Sequence, residues 1–501
     1  NVSLEIPTLE KYGAVAEVDG VSYPSVKLAF DSITSSENKT IKLLKTLPTI
    51  VNLGESTKDV TLDSNRNAVR YFGNSTYLVN KNKFNVYDSN DSKGNCIYSK
   101  GATIIDNYGS VNYDKSMTLS NPSITAVINH ENSEFTLNGS IERDNEVYYY
   151  AIDNLGTFII NDAIIKGRIE NLNGNINITN SNIYSNSDIS INNDSGEINI
   201  FGGEIYNNEI NGKAIYNKSG KITIVNSDIN ATKDKSIGIS NSGNLVVESG
   251  NITGTYNGIL NNSELTINDG TISSYGRNGK ALEIDNANSI TNMYGGIITT
   301  SDMPNSTAIY SKSGITNIYS GDVYANGTNN TAIYIGYSGS VNLGIKGDKD
   351  SDGNLLVSKN NPNINASQYG VEINDNGIFN FYDGIITGKD AISGPVNDIE
   401  DSFDIVSDND ENGNEVKYLD RKLIVKNIRT KKEYYSFADA LKEITEGDTL
   451  QLIDSLTLLK NASVLEINED MNFIIDLNGN KISSGNSLFI KNNGNLKIID
   501  S

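Results

Sequence analysis

Tryptophan is missing from this sequence, histidine and cysteine occur once each, and proline appears only seven times in 501 residues. A lone cysteine, Cys96, excludes an intramolecular disulfide framework and any multi-cysteine metal cluster. With His130 equally alone, a Ser/His/Asp or Cys/His mechanism has no spare parts, and neither residue sits in a nucleophile-elbow context. His130, in "VINHENS", reads as a loop histidine, and Cys96, in "GNCIYSKG", as a small residue ahead of a strand. No run approaches the ~20 apolar residues that span a bilayer, and no charged start leads into an apolar signal core, so no membrane insertion is expected in this segment. Positive charge is also in deficit: 40 basic against 62 acidic side chains leave a net charge of −22. That balance opposes phosphate backbones and anionic lipid, so nucleic acid is not an expected partner. The chain opens at "NVSLEIP" and stops at "LKIIDS" after a strand-like run, and both ends read as cut from something longer.

What the sequence does contain is repetition. In "SGEINIFGGEIYNNEINGKAIYNKSGKITIVNSDIN" the turn glycines Gly196, Gly220 and Gly243 lie 24 and 23 residues apart (220 − 196, 243 − 220), and Gly314, Gly339 and Gly377 continue the series after two degenerate copies. Each glycine precedes an alternating stretch, Ile198 and Ile200, Ile222 and Ile224, or Leu245 and Val247, the period of a strand with one buried face. A second short strand comes at Ile205, Ile229, Ile252, Ile272 and Ile297, and a third at Ile215, Ile239, Ile259, Ile309 and Ile333. Three strands and three turns make one coil. No copy can bury its own few isoleucines, so the copies must stack into a solenoid. Helical repeats are excluded by the density of Asn, Gly, Ser, Thr and β-branched residues. Asparagine suits such a stack twice over: it tolerates left-handed corners, and its amide can bond to the equivalent amide one turn away.

A longer repeat lies behind the short one. "SYPSVKLAFDSI" places Val26, Ala29, Phe30 and Ile33 on one face of a short helix, with Pro24 near its entrance; "YYSFADALKEI" places Phe437, Ala440, Leu441 and Ile444 likewise, at an offset of 411 (437 − 26). The expected organisation is an N-terminal segment over 1–13, a β-helix domain over 14–394 with a capping helix near 24–34, an acidic connector with a strand pair over 395–432, and the start of a second repeat over 433–501. Each helix is expected to cover the open end of its coil, because an uncapped coil exposes unpaired backbone groups.

These residues resemble the right-handed parallel β-helix, the pectate-lyase-like architecture: an all-β solenoid with three short strands per coil and a short N-terminal capping helix, tandemly repeated. The lead helix "SFADALKEI", the strand ending "DLNGNKI", coils such as "TNIYSGDVY" and "FNFYDGIITG", and the exit "VNDIEDSFDIVSDND" look like the β-helix repeats of large Gram-positive surface proteins and adhesins. The resemblance implies an exported, extracellular protein on or projecting from the cell envelope.

Chemistry is harder to find. Enzymes of this architecture need Ca²⁺ with an Arg or Lys base, or two or three close carboxylates. Here arginine is limited to Arg143, Arg168 and Arg277 in the coils, and Glu197, Glu204, Asp228, Glu248, Asp269 and Glu283 occupy different positions of the repeat. No catalytic residue is therefore assigned. Two stretches have the first half of a Ca²⁺ loop: Asp348, Asp350 and Asp352 before Gly353, and Asp408, Asp410 and Asn412 before Gly413. Lys359 and Leu419 stand where each loop's closing Glu belongs, and acidic hairpin turns favour the same residues without a metal. Ca²⁺ is thus the one cofactor to test. Aromatics recur in register: Phe201, Tyr294, Tyr319 and Tyr382 share one position, and Tyr216, Tyr310 and Tyr334 another, with Asn226, Glu248 and Asn268 as interruptions. Stacked, they form external columns suited to sugar rings or a partner's surface, or simply to strengthening neighbouring strands.

The sequence thus favours a structural, adhesive surface protein, a fibre, stalk or surface-layer element, whose partners are copies or neighbouring repeats of itself and host or envelope glycans. A polysaccharide lyase or glycoside hydrolase, and a non-catalytic glycan-binding module, are the alternatives.

Overall fold

The structure, a computed structural model, describes residues 8–34, 37–90, 95–115, 117–120, 124–142, 150–349, 351, 355–374, 376–458, 465–484 and 490–501. It is an all-β parallel solenoid of about 18 turns, with three short helices among the described residues. The chain divides into two compact units, Asn1–Asp398 with Ser407–Tyr418, and Ile399–Val406 with Leu419–Ser501. Residues 395–432 are shared between them. No helix among the described residues is long and apolar enough to cross a membrane.

Inside the first unit the repeat becomes columns. Ile176, Ile198, Ile222, Leu245 and Leu265 pair in parallel register from turn to turn. A second column runs Ile183, Ile205, Ile229, Ile252, Ile272 and Ile298. The third runs Ile191, Ile215, Ile239, Ile259, Leu282, Ile309 and Ile333. All are at most 1% exposed. Full burial of each such side chain is worth about 1.5–3 kcal/mol, and no turn can realise it without a neighbour above and below.

Ile297, expected in the second column, faces outward, and Ile298 takes its place. The reason is the corner glycine. Gly250, Gly270 and Gly296 all have positive φ, and the side chain two residues later points inward: Ile252, Ile272 and Ile298.

Along one corner, nine asparagines form a buried chain of amides. Asn80 Nδ2 donates to Asn107 Oδ1 at 2.8 Å, and the same bond continues through Asn129, Asn154, Asn171, Asn193, Asn217, Asn241 and Asn261 at 2.8 or 2.9 Å. Asn261 then donates to Thr291 Oγ1 at 3.1 Å. Every member is fully buried, and all but Asn193 also donate to backbone carbonyls nearby, as Asn107 Nδ2 does to Gly109 and Glu134. Each buried amide thereby has at least one hydrogen-bond partner, and aligned amide dipoles polarise one another along the chain.

Of the ruler glycines beside this chain, Gly196 has a positive φ, whereas Gly220 and Gly243 are required by closeness alone. A Cβ on Gly220 would meet Asn193 Nδ2 at 2.3 Å and the Gly196 carbonyl at 2.4 Å. Left-handed corners occur elsewhere, at Asn180, Gly202 and Asn226.

Both units open alike. In the first, Ala16–Val18 pairs antiparallel with Val21–Tyr23 and with Lys39–Leu43. The helix Val26–Ser32 packs against these three strands, burying Ala29 and Phe30, and Ser25 Oγ caps it by accepting from Leu28 N at 3.1 Å. In the second, Val425–Asn427 pairs antiparallel with Glu433–Tyr434 and with Asp448–Leu452. There the helix Phe437–Lys442 buries Phe437, Ala440 and Leu441, and Ser436 Oγ accepts from Asp439 N at 3.0 Å. At the far end of the first unit, Ile385–Gly388 is met by an antiparallel segment, Tyr418 back to Glu415, which occupies an edge that would otherwise be open to another chain.

Candidate functional site

The later turns of the first unit carry a patterned outer face. Asn317 Nδ2 donates to Asn292 Oδ1 at 2.8 Å, Asn342 to Asn317 at 2.7 Å and Asn380 to Asn342 at 2.8 Å. Unlike the buried chain, these half-exposed amides keep valences for solvent or a ligand. Beside them Tyr294 and Tyr319 stack at 4.8 Å and 29°. Tyr382 does not join them. Gly344 holds the intervening turn, and the Tyr382 hydroxyl donates to Asp398 Oδ2 at 3.0 Å. At the head of this column, Phe201 is paired with Val225, not Asn226, because Asn226 is itself the left-handed corner.

Tyr216, Tyr310 and Tyr334 do share a column, but Tyr216 stands apart from the other two. Ser240, Leu260 and Glu283 stand between Tyr216 and Tyr310. Tyr310 and Tyr334 are stacked at 4.8 Å and 4°. Lys280 Nζ lies 4.1 Å from the Tyr310 centroid on its way to Glu283 Oε1 at 2.6 Å, so one aromatic face meets a cation and the other its twin. Burial pushes the Tyr310 hydroxyl pKa up. Next to this pair, Tyr337 stands 62% exposed over a cavity of about 310 Å³ that Tyr310, Tyr334, Lys312, Ser313 and Asn374 help to line. Nothing in the repeat marks Tyr337, because it occupies a position that the preceding turn lacks.

Acidic residues share a register position in two places that the spacing concealed. Glu204 and Asp228, separated by 24 positions (228 − 204), are direct partners on adjacent turns. Their oxygens accept from neighbouring amides, Glu204 from Asn230 at 3.0 Å and Asp228 from Asn251 at 2.8 Å. Asp153 and Glu170 are also in register, although only 17 positions (170 − 153) separate them. Glu170 is 5% exposed and accepts from Asn192 Nδ2 at 2.6 Å. Arg168 beside it reaches Asp188 Oδ1 at 2.5 Å and the Tyr150 hydroxyl at 2.9 Å. Burial pushes the Glu170 carboxyl up in spite of the bonds from Tyr150 and Asn192, and pushes Tyr150 up to about 12, with Glu170 adding to the effect. A carboxyl raised by burial is suited to an acid role.

His130 is more than a loop histidine: its ring stacks on Tyr108 at 3.8 Å and 9°, and Nε2 lies 2.6 Å from Asp106 Oδ1. Cys96 lies within the strand Asn95–Ser99, not ahead of it.

Of the first acidic stretch, Asp350 and Asp352 lie outside the described residues, and Asp348 Oδ1 accepts from Lys349 N at 2.9 Å. In the second, Asp410 folds the tip of a turn, accepting from Asn412 N, Asn414 N and Asn414 Nδ2 at 2.8–2.9 Å. The bonds from Asn414 and Asn412 hold its carboxyl below the usual range. Asp408 Oδ1 accepts from Asn409 N at 2.8 Å. Among the described residues, no group of three or more His, Cys, Asp and Glu side chains is placed to hold a metal ion.

No family model, curated protein or solved structure matches this chain.

Proposed function

We propose that this chain is a length-building segment of an exported structural and adhesive protein, of the kind that projects from the envelope of Gram-positive bacteria in pectate-lyase-like β-helix repeats. The observation that carries this reading is the buried amide chain from Asn80 to Asn261, which ties turn to turn without interruption. Such an arrangement rewards each added turn with the same bonds and the same buried isoleucines, so it favours extension over the shaping of a cleft. The recurrence of the capped opening at an offset of 411 supports tandem use of the unit. A net charge of −22 suits a solvent-exposed protein whose copies must not clump.

The Asp153 and Glu170 pair favours a second reading, a polysaccharide-cleaving enzyme in which Glu170 is the acid. Incubation with acidic and neutral polysaccharides, read by ultraviolet absorbance at unsaturated ends and by reducing sugar, decides between them. The structural reading expects no product. Turnover that Glu170→Gln abolishes would replace it with the enzymatic one.

A further inference from the structure

The strands Thr307–Ile318 and Thr331–Leu343 run in parallel register except at one place. Between Ser311 and Ser313 the lower strand has only Lys312; between their partners Ile335 and Ser338 the upper strand has both Gly336 and Tyr337. This is a β-bulge, a feature that re-aims side chains and recurs beside binding sites. It throws Tyr337 into solvent and leaves the cavity of about 310 Å³ beneath it, at the lower end of ordinary ligand pockets. The two strands approach closely here: a Cβ on Gly336 would lie 3.0 Å from Lys312 Cα, a tight contact that glycine avoids.

The lining decides what fits. Its one cation, Lys312, is bound to Asp285 Oδ1 at 2.6 Å, and nearby Lys280 is bound to Glu283 at 2.6 Å. What remains is neutral: aromatic wall from Tyr334 and Tyr337, hydroxyls of Ser313 and Ser338, and the Asn374 amide, which donates to the Tyr334 hydroxyl at 3.1 Å. An acyl chain would cover the hydroxyls of Ser313 and Ser338 without offering them a hydrogen bond, at a cost for each polar group. A polyanion meets no uncompensated cation here and a net charge of −22 overall. A pyranose ring meets both requirements, with C–H groups for the tyrosine ring and hydroxyls for the serines and the amide.

We propose that the bulge cavity under Tyr337 is a binding subsite for a neutral hexopyranose unit of a glycan chain. This gives the adhesive reading a contact point and rests on it only for biological purpose. The test is saturation-transfer difference NMR on the full chain with maltohexaose, cellohexaose, N-acetylchitohexaose and hexagalacturonate. Expected are transfer to at least one neutral hexamer, none to hexagalacturonate, and a loss of at least tenfold with Tyr337→Ala. Ser338→Leu, which fills the cavity and keeps Tyr337, should abolish the signal at an unchanged melting temperature. Tyr275→Ala, at an exposed tyrosine outside the cavity lining, should leave it intact. Absence of signal with every neutral hexamer, preference for hexagalacturonate, or a signal that survives both Tyr337→Ala and Ser338→Leu would overturn the subsite. None of these outcomes touches the structural reading, which stands or falls on polysaccharide turnover.

Discussion

Asp63 and Asp476, 413 positions apart (476 − 63), hold the same backbone groups: Asp63 Oδ1 accepts from Asn65 N and Ser89 N at 3.0 and 2.9 Å, and Asp476 Oδ1 from Asn478 N and Ser501 N, both at 3.1 Å. Asn65 and Asn478 in turn each donate to a leucine carbonyl of the preceding turn, Leu43 at 2.8 Å and Leu452 at 3.2 Å. "DSN" and "DLN" therefore build one corner twice, a buried carboxylate that gathers donors from its own turn and the next.

Replacing that carboxylate should loosen the start of whichever unit contains it. Asp476 is 4% exposed, and Asp476→Ala strands the Asn478 and Ser501 N–H groups, a loss of about 2–3 kcal/mol. Hydrogen exchange should show deprotection confined to Leu450–Ile475 and its neighbours, with the Asn chain of the first unit unaffected. Uniform deprotection across both units would refute their separate stability.

Acid should act on the same unit. Arg429, then Thr445 and Asn427, hold the Asp448 carboxyl below its usual range against burial, and Asp476 is likewise lowered by Gln451, Ser501 and Asn478 although burial opposes it. Depressed carboxylates contribute stability that is present above the unfolded pKa, about 3.9, and is lost as pH falls through the folded value. Exchange protection in 448–476 should thus be constant from pH 7 to pH 5 and collapse below about pH 4. Arg429→Ala should move the collapse to higher pH; an unmoved midpoint would show that the pair does not act.

The buried amide chain makes an internal substitution costlier than a terminal one. Asn154→Ala removes one of the two acceptors of Asn129 Nδ2 and the amide donor of Asn171 Oδ1, for about 2–5 kcal/mol. Asn80→Ala removes one link of the chain, not two, and should cost about half as much. Melting temperatures of the two variants give the comparison, and equal losses would mean that the amides act singly.

Two buried polar groups should be better removed. Tyr77 is 1% exposed, and its hydroxyl has no partner among the described residues, so Tyr77→Phe should stabilise by about 1 kcal/mol. Glu170 is the pH-dependent case. Its pKa is raised, so its contribution is present below the unfolded value near 4.3 and is lost as pH rises through the folded one. Glu170→Gln should accordingly raise the melting temperature at pH 7 and make no difference near pH 4. A gain of equal size at both would point to packing in place of ionisation.

Much of this architecture is legible in the chain because it arises from local periodicity. Ile198, Ile222 and Leu245 announce a column by alternation and spacing alone, and the runs from Val26 to Ile33 and from Phe437 to Ile444 announce the two helices by their apolar spacing. Ile297 is misplaced by spacing because two isoleucines come after Gly296 and only the corner's backbone angle selects between them. Motif groups Tyr382 with Tyr319, yet the turn that inserts Gly344 separates them.

Strand, turn and stack were set by the sequence itself, since side-chain period and turn chemistry act over a few residues. The tertiary structure decided which distant residues became neighbours: Asp153 with Glu170, Glu204 with Asp228, and Tyr337 with a cavity. Those outcomes depend on cumulative register, where one extra residue in one turn, as at Gly336, changes what lies beside every side chain around it.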